Sequence, residues 1–145
     1  SIEVGCAAAG AKLIVVVGHN RCAAVQSAID SAHGKQHPYI RECEYLKPIV
    51  QSIESVVRES DSQNRHALDG KETKDRSDTD NIVRLNIQRS VREILQKSTA
   101  ISALVESGQI GIVGMMYDVT TGICHVMNET SHGIGTIEPE ASHET

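Results

Sequence analysis

Lys12-Leu-Ile-Val-Val-Val-Gly18, followed without a linker by His19-Asn-Arg-Cys22, decides how the chain folds. An unbroken aliphatic run rich in β-branched residues, bounded by Gly10 and Gly18, predicts a strand. The run does not alternate with polar residues, so the strand is expected to be buried on both faces. Such strands belong to parallel sheets covered by helices. From Asn20 the pattern turns helical, with Cys22, Val25, Ala28 and Ile29 three and four residues apart until Gly34 and Pro38 break it. A strand, a tight turn and a helix in direct succession predict an α/β fold with a mostly parallel central sheet flanked by helices.

Working outward, Ile2, Cys6 and Ala9 lie at helical spacing before the strand. After it, Tyr39 to about Glu59 repeats that spacing through Tyr45, Leu46, Ile49, Ile53, Val56 and Val57, with Pro48 expected to kink the chain or divide two helices. Ser60 to Asp80 is almost wholly polar, carries the turn signal Asp69-Gly70, and is predicted to be an exposed loop. Asn81 to Gln96 is amphipathic, and Ser98 is placed to cap a further helix that runs to Gly108. Gln109 to Val113 predicts a strand, and Gly114 to Val119 leads into the turn Thr120-Thr121-Gly122. Ile123 to Met127 then returns as the second arm of a C-terminal antiparallel hairpin. A single domain over residues 1–127 and a polar, frayed tail over 128–145 complete the expectation.

Composition narrows the function. A chain of 145 residues suits one core. Its 14 basic and 19 acidic residues give a net charge of −5, and no Lys/Arg cluster tracks a phosphate backbone, so nucleic acid is excluded as the partner. No stretch reaches the ~18 apolar residues that a membrane helix needs, and the start lacks a secretory pattern. A protein of the cytoplasm, without membrane insertion, is expected. There is no Phe and no Trp, so the core must be aliphatic. The four cysteines, Cys6, Cys22, Cys43 and Cys124, are irregularly spaced and are expected to be reduced thiols. The opening Ser1, in place of Met, suggests a preceding N-terminal portion.

The residues with chemical potential sit where the strand meets the helix. In open α/β sheets ligands gather outside the carboxyl ends of the strands, and a helix N-terminus there adds unpaired amides. His19 and Cys22 offer an imidazole nitrogen and a thiolate, half of a tetrahedral zinc site. The plainer alternative is a chance pair with a buried thiol. Cys6 and Cys43 fit core or surface better than ligation. Cys124 and His125 are adjacent in a strand and point to opposite faces, and burial is the expected role of Cys124. His33, His37, His66, His132 and His143 fall in loops or the tail and are expected to be solvated. Asp118 and Tyr117 beside the last turn fit a structural role more readily than a catalytic one. There is no phosphate-binding glycine loop and no Gly-x-Ser-x-Gly elbow.

Gly10-Ala-Lys-Leu-Ile-Val-Val-Val-Gly-His19 with Cys22, then Arg84-Leu-Asn-Ile-Gln-Arg-Ser-Val91, then Ser107-Gly-Gln-Ile-Gly-Ile-Val-Gly-Met-Met-Tyr-Asp-Val-Thr-Thr-Gly122, together resemble the central and C-terminal blocks of the β-class carbonic anhydrases, in order and in spacing. The resemblance runs from Ser1 to about Val126. It implies a Zn2+ enzyme that reversibly hydrates carbon dioxide to bicarbonate and a proton, assembled as a homodimer or a larger homo-oligomer. It places His19 and Cys22 on two of the family's three zinc ligands. The family's first zinc cysteine and the Asp-Arg pair after it lie upstream of Ser1, so the resemblance assigns no catalytic residue in this chain. Ala23 stands where the family usually has glycine, adding a methyl group near the metal. Two other possibilities follow from the residues: an inactive carbonic-anhydrase-like binding or assembly module without a complete zinc site, or a rearranged site in which Cys6 or a partner chain supplies the third ligand.

Overall fold

The structure, a computed structural model, describes residues 1–35, 43–65 and 76–137. Helix α1 (Ile2–Ala7) precedes strand β1 (Leu13–His19), and helix α2 (Ala23–Ala32) follows with Cys22 as its N-cap. A 3-10 turn (Glu44–Leu46) leads directly into α3 (Lys47–Arg65). Pro48 therefore lies in the first turn of the long helix, where the amide it lacks would have no partner anyway. Helix α4 (Arg76–Lys97) and helix α5 (Thr99–Glu106) are separated by Ser98 alone. Its hydroxyl accepts the Ile101 amide at 3.2 Å, the expected cap, and Gly108 at φ +68° turns the chain after α5.

Strands β2 (Gly111–Tyr117) and β3 (Cys124–His132) complete a three-stranded sheet of order β1-β2-β3. β1 and β2 run parallel, from Leu13 opposite Gly111 to His19 opposite Tyr117, and β2 and β3 run antiparallel through the hairpin at Gly122, whose φ is +76°. The α/β class and the C-terminal hairpin are as the sequence indicates. The hairpin's second arm is longer than expected, since residues 128–132 belong to β3 rather than to a frayed tail. Polar residues hold it there. Between the pairs Ile112–His132 and Gly114–Met127, β3 bulges, and the buried Thr130 hydroxyl takes up the ladder by accepting the Gly114 amide at 2.7 Å and donating to the Met127 carbonyl at 2.6 Å. Beyond the strand, the Asn128 side chain pairs with both backbone groups of Ile137.

The predicted loop over Ser60 to Asp80 is helical at both ends, because α3 continues to Arg65 and α4 starts at Arg76. Residues 66–75 between them, like the start of the predicted helix at residues 39–42, lie outside the described residues. Tyr45 and Ile49 are exposed, whereas Val50, Ile53, Val56 and Val57 of α3 are buried.

Two aliphatic clusters cover the helical side of the sheet. Val25 and Ala28 of α2, Val50, Ile53 and Val57 of α3, and Ile82, Val83 and Ile87 of α4 pack with Met116 and Met127. Cys6, Val91, Ile101, Val105, Ile110 and Ile112 form the other cluster, and Val16 touches both. Gly18 and Gly114 lie under Ile87, so close that a Cβ on Gly18 would stand 2.7 Å from Ile87 Cδ1. Burial of β1 on both faces is not observed. Leu13, Val15 and Val17 remain 45%, 39% and 57% exposed, because no described element packs over that side of β1.

Candidate metal centre

His19 ends β1, Cys22 caps α2, and only Asn20 and Arg21 separate them. The strand's pleat puts His19 on the same face as Leu13, Val15 and Val17, and its ring is exposed. His19 Nδ1 lies 2.9 Å from the Asn20 carbonyl. A carbonyl only accepts, so Nδ1 is the donor of this pair, and it is the neutral ring with Nδ1 protonated that offers an Nε2 lone pair to a metal. Cys22 is half-buried, packs against the α2–α3–α4 cluster, and makes no side-chain capping bond to its helix. One soft sulfur and one imidazole nitrogen suit zinc in kind.

Arg21 connects them in the left-handed region, at φ +55°. A side-chain-bearing residue costs about 1–2 kcal/mol there, so the loop needs support from elsewhere. Asn20 provides it. Its amide donates to the Tyr117 carbonyl at 3.2 Å, its side-chain Nδ2 donates to Asp118 Oδ1 at 2.8 Å, and its Oδ1 accepts the Val119 amide at 3.0 Å. Asp118 Oδ1 also accepts the Thr120 amide at 2.8 Å. The hydrogen bonds from Thr120 and Asn20 hold the Asp118 carboxyl down at about 2, below its usual 3.8, so it is ionised near neutral pH. The His19–Cys22 loop and the hairpin turn are thereby clasped together across 98 residues of sequence.

A cavity of about 500 Å³ opens beside the loop, lined by Asn20, Arg21, Cys22, Ala23 and Gln26 and, from the start of α4, by Thr79 and Asp80. Thr79 Oγ1 donates to Gln26 Oε1 at 3.2 Å across it. Ala23 is at this wall, next to the thiol.

Among the described residues no third His, Cys, Asp or Glu joins His19 and Cys22 in a group able to hold a metal. Zinc takes three or four protein ligands, and this pair by itself is short of that number. Cys6 is not the missing member. It is buried with Ile110 and Ile112 at the far end of the sheet, five strand residues or roughly 17 Å from the His19 level. Cys124 is exposed rather than buried, since its place opposite Tyr117 is beside the hairpin turn. Cys43 is exposed, and His33 pairs with Asp61 at 3.3 Å. His37, His66 and His143 lie outside the described residues. Asp118 has the structural role expected of it as a turn former. Its link to the His19–Cys22 loop was invisible in sequence, because nothing local pairs Asn20 with a residue 98 positions on.

The family model described as carbonic anhydrase matches residues 1–124. Among solved structures, the chain is similar to a tetrameric β-carbonic anhydrase of the filamentous ascomycete Sordaria macrospora, with a TM-score of 0.64 and 18% identity over 87% of this chain and 57% of that one. It is similar to the Coccomyxa β-carbonic anhydrase in complex with acetazolamide, with a TM-score of 0.64 and 21% identity over 87% of this chain and 51% of that one. It is also similar to the β-carbonic anhydrase CafA of Aspergillus fumigatus, with a TM-score of 0.60 and 22% identity over 96% of this chain and 56% of that one. The chain thus spans little more than half the length of these structures. No curated protein matches it.

Proposed function

Since the chain belongs to the carbonic anhydrase family and has the fold of its β class, we propose that it supplies His19 and Cys22 as two zinc ligands of a site that interconverts carbon dioxide with bicarbonate and a proton. The observation that carries this reading is the ligand loop itself. It presents a sulfur and an imidazole Nε2 at the carboxyl end of a parallel strand, with two residues between the donors. Zinc, when bound, supplies the Lewis acidity that makes water a nucleophile near neutral pH.

The chain's own residues have separable tasks. Nδ1 of His19, engaged by the Asn20 carbonyl, orients the ring and keeps Nε2 free. Cys22 contributes thiolate, which suits a reducing compartment such as the cytoplasm. The cavity beside Cys22 offers room for a small substrate, narrowed by the Ala23 methyl group. The remaining zinc donors come from outside the described residues. A homodimer or larger homo-oligomer is supported by the bare side of β1, an aliphatic surface of the kind a partner covers.

Elemental analysis of the protein as its gene encodes it, purified without chelator, should give about one zinc per chain, and Cys22→Ser should remove it. Zinc retained in full by Cys22→Ser would overturn the ligand assignment. The scarcity of donors among the described residues favours one other reading, an assembly module that keeps the fold without the chemistry. Absence of zinc from the parent protein, with no carbon dioxide hydration, would select it.

A further inference from the structure

We infer that Asn20 and Asp118 are positioning residues for the metal centre: their side-chain clasp holds the His19–Cys22 loop in its ligating shape before any metal arrives. This rests on His19 and Cys22 being zinc ligands, as proposed above, and adds the residues that set their geometry.

Where two donors lie on one loop, the two residues between them set how the donors are directed relative to one another. In this loop Arg21 stands at φ +55°, which a residue with a side chain does not adopt by preference. Strained backbone persists where its surroundings over-determine it. The surroundings of this loop are specific. Asn20 is held at three points, its own amide and both ends of its side chain, by Tyr117, Asp118 and Val119. Asp118 is held in turn by the Thr120 amide, while its backbone closes the hairpin turn through Ile123 and Gly122. The Asn20 carbonyl then serves as the acceptor that orients the His19 ring. The three contacts of Asn20 tie the loop to the end of β2 and to the turn that joins it to β3, a rigid support. Removing the Asp118 carboxylate leaves the Asn20 side-chain Nδ2 without its acceptor and frees Arg21 to relax to negative φ, which changes the direction of Cys22 relative to His19. An acceptor oxygen suffices for the clasp, so Asp118→Asn can keep it.

The test compares Asp118→Ala, Asp118→Asn and Asn20→Ala with the parent in the full-length protein, by zinc affinity in chelator competition, by the thiolate-to-cobalt absorption of the cobalt-substituted form, and by the NMR chemical shifts of Arg21 in the metal-free form. Expected are a roughly 10- to 100-fold weaker zinc affinity for Asp118→Ala and Asn20→Ala, an altered cobalt band, and loss of the positive-φ shift pattern at Arg21. Asp118→Asn should recover all three, which general destabilisation would not allow. Parent-like zinc affinity in Asp118→Ala, or an unchanged Arg21 pattern in it, overturns the inference. Failure of the parent to bind zinc through Cys22 overturns the ligand assignment instead, and the Arg21 shifts still report whether the clasp sets the loop. Should the alanine variants fail to fold, the inference stands on Asn20→Asp, whose carboxylate cannot donate to Asp118: zinc held as in the parent would sink it.

Discussion

Alternate residues of β1 live in different surroundings although their side chains are nearly the same. Ile14 and Val16 pack into the aliphatic clusters built by the helices, and Gly18 fits beneath Ile87 and Val83. Leu13, Val15 and Val17, on the opposite face, stay open. Even on that side the sheet is not uniformly bare, for Val113 of β2 is fully buried and a Cβ on Gly111 would run into Ile134. The openness is a property of β1, whose second edge also has no strand beside it among the described residues. A β-branched run therefore reports that both faces of a strand are meant for apolar surroundings. It does not report whether the same chain provides them.

The contrast can be broken by substitution on each face. Ile112→Ala, at a fully buried site where the two sheet pairings meet, should cost about 2–5 kcal/mol in urea unfolding. A cost below 1 kcal/mol would show that the helical side is loosely packed. Gly18→Ala adds one methyl group 2.7 Å from Ile87 Cδ1 and Val83 Cγ1 and should cost about 1–3 kcal/mol, with a lower unfolding midpoint. On the neighbouring residue, Val17→Thr keeps the β-branched shape on the open face. It should move the stability of the separated chain by no more than about 0.5 kcal/mol. In the assembled protein the same hydroxyl should weaken association, seen as a shift to smaller species by light scattering. Unchanged assembly with Val17→Thr would remove the open face from the oligomer interface.

Much of this was legible in the one-dimensional pattern. β1, α2, the Ser98 cap, Gly108 as a helix terminator and the Gly122 hairpin all follow from local rules of spacing, capping and positive φ. Local rules failed where distant partners decide. Tyr45 and Ile49 carry helical spacing yet are exposed, and the polar residues after Met127 become strand because Thr130 and Asn128 find backbone partners. The polar stretch after Glu59 continues α3 at its start and begins α4 at its end, since a solvated helix needs little apolar surface at its ends.

The same division runs through the candidate metal centre. The sequence by itself determined which atoms stand at the strand's end, a histidine and a cysteine with two residues between them, because strand and helix boundaries are local events. Tertiary structure alone decided that Asn20 meets Asp118, that Arg21 is held at positive φ, and that Cys6 lies far from His19. Those are consequences of β1 and β2 lying side by side, a pairing between segments about a hundred residues apart that no local pattern encodes.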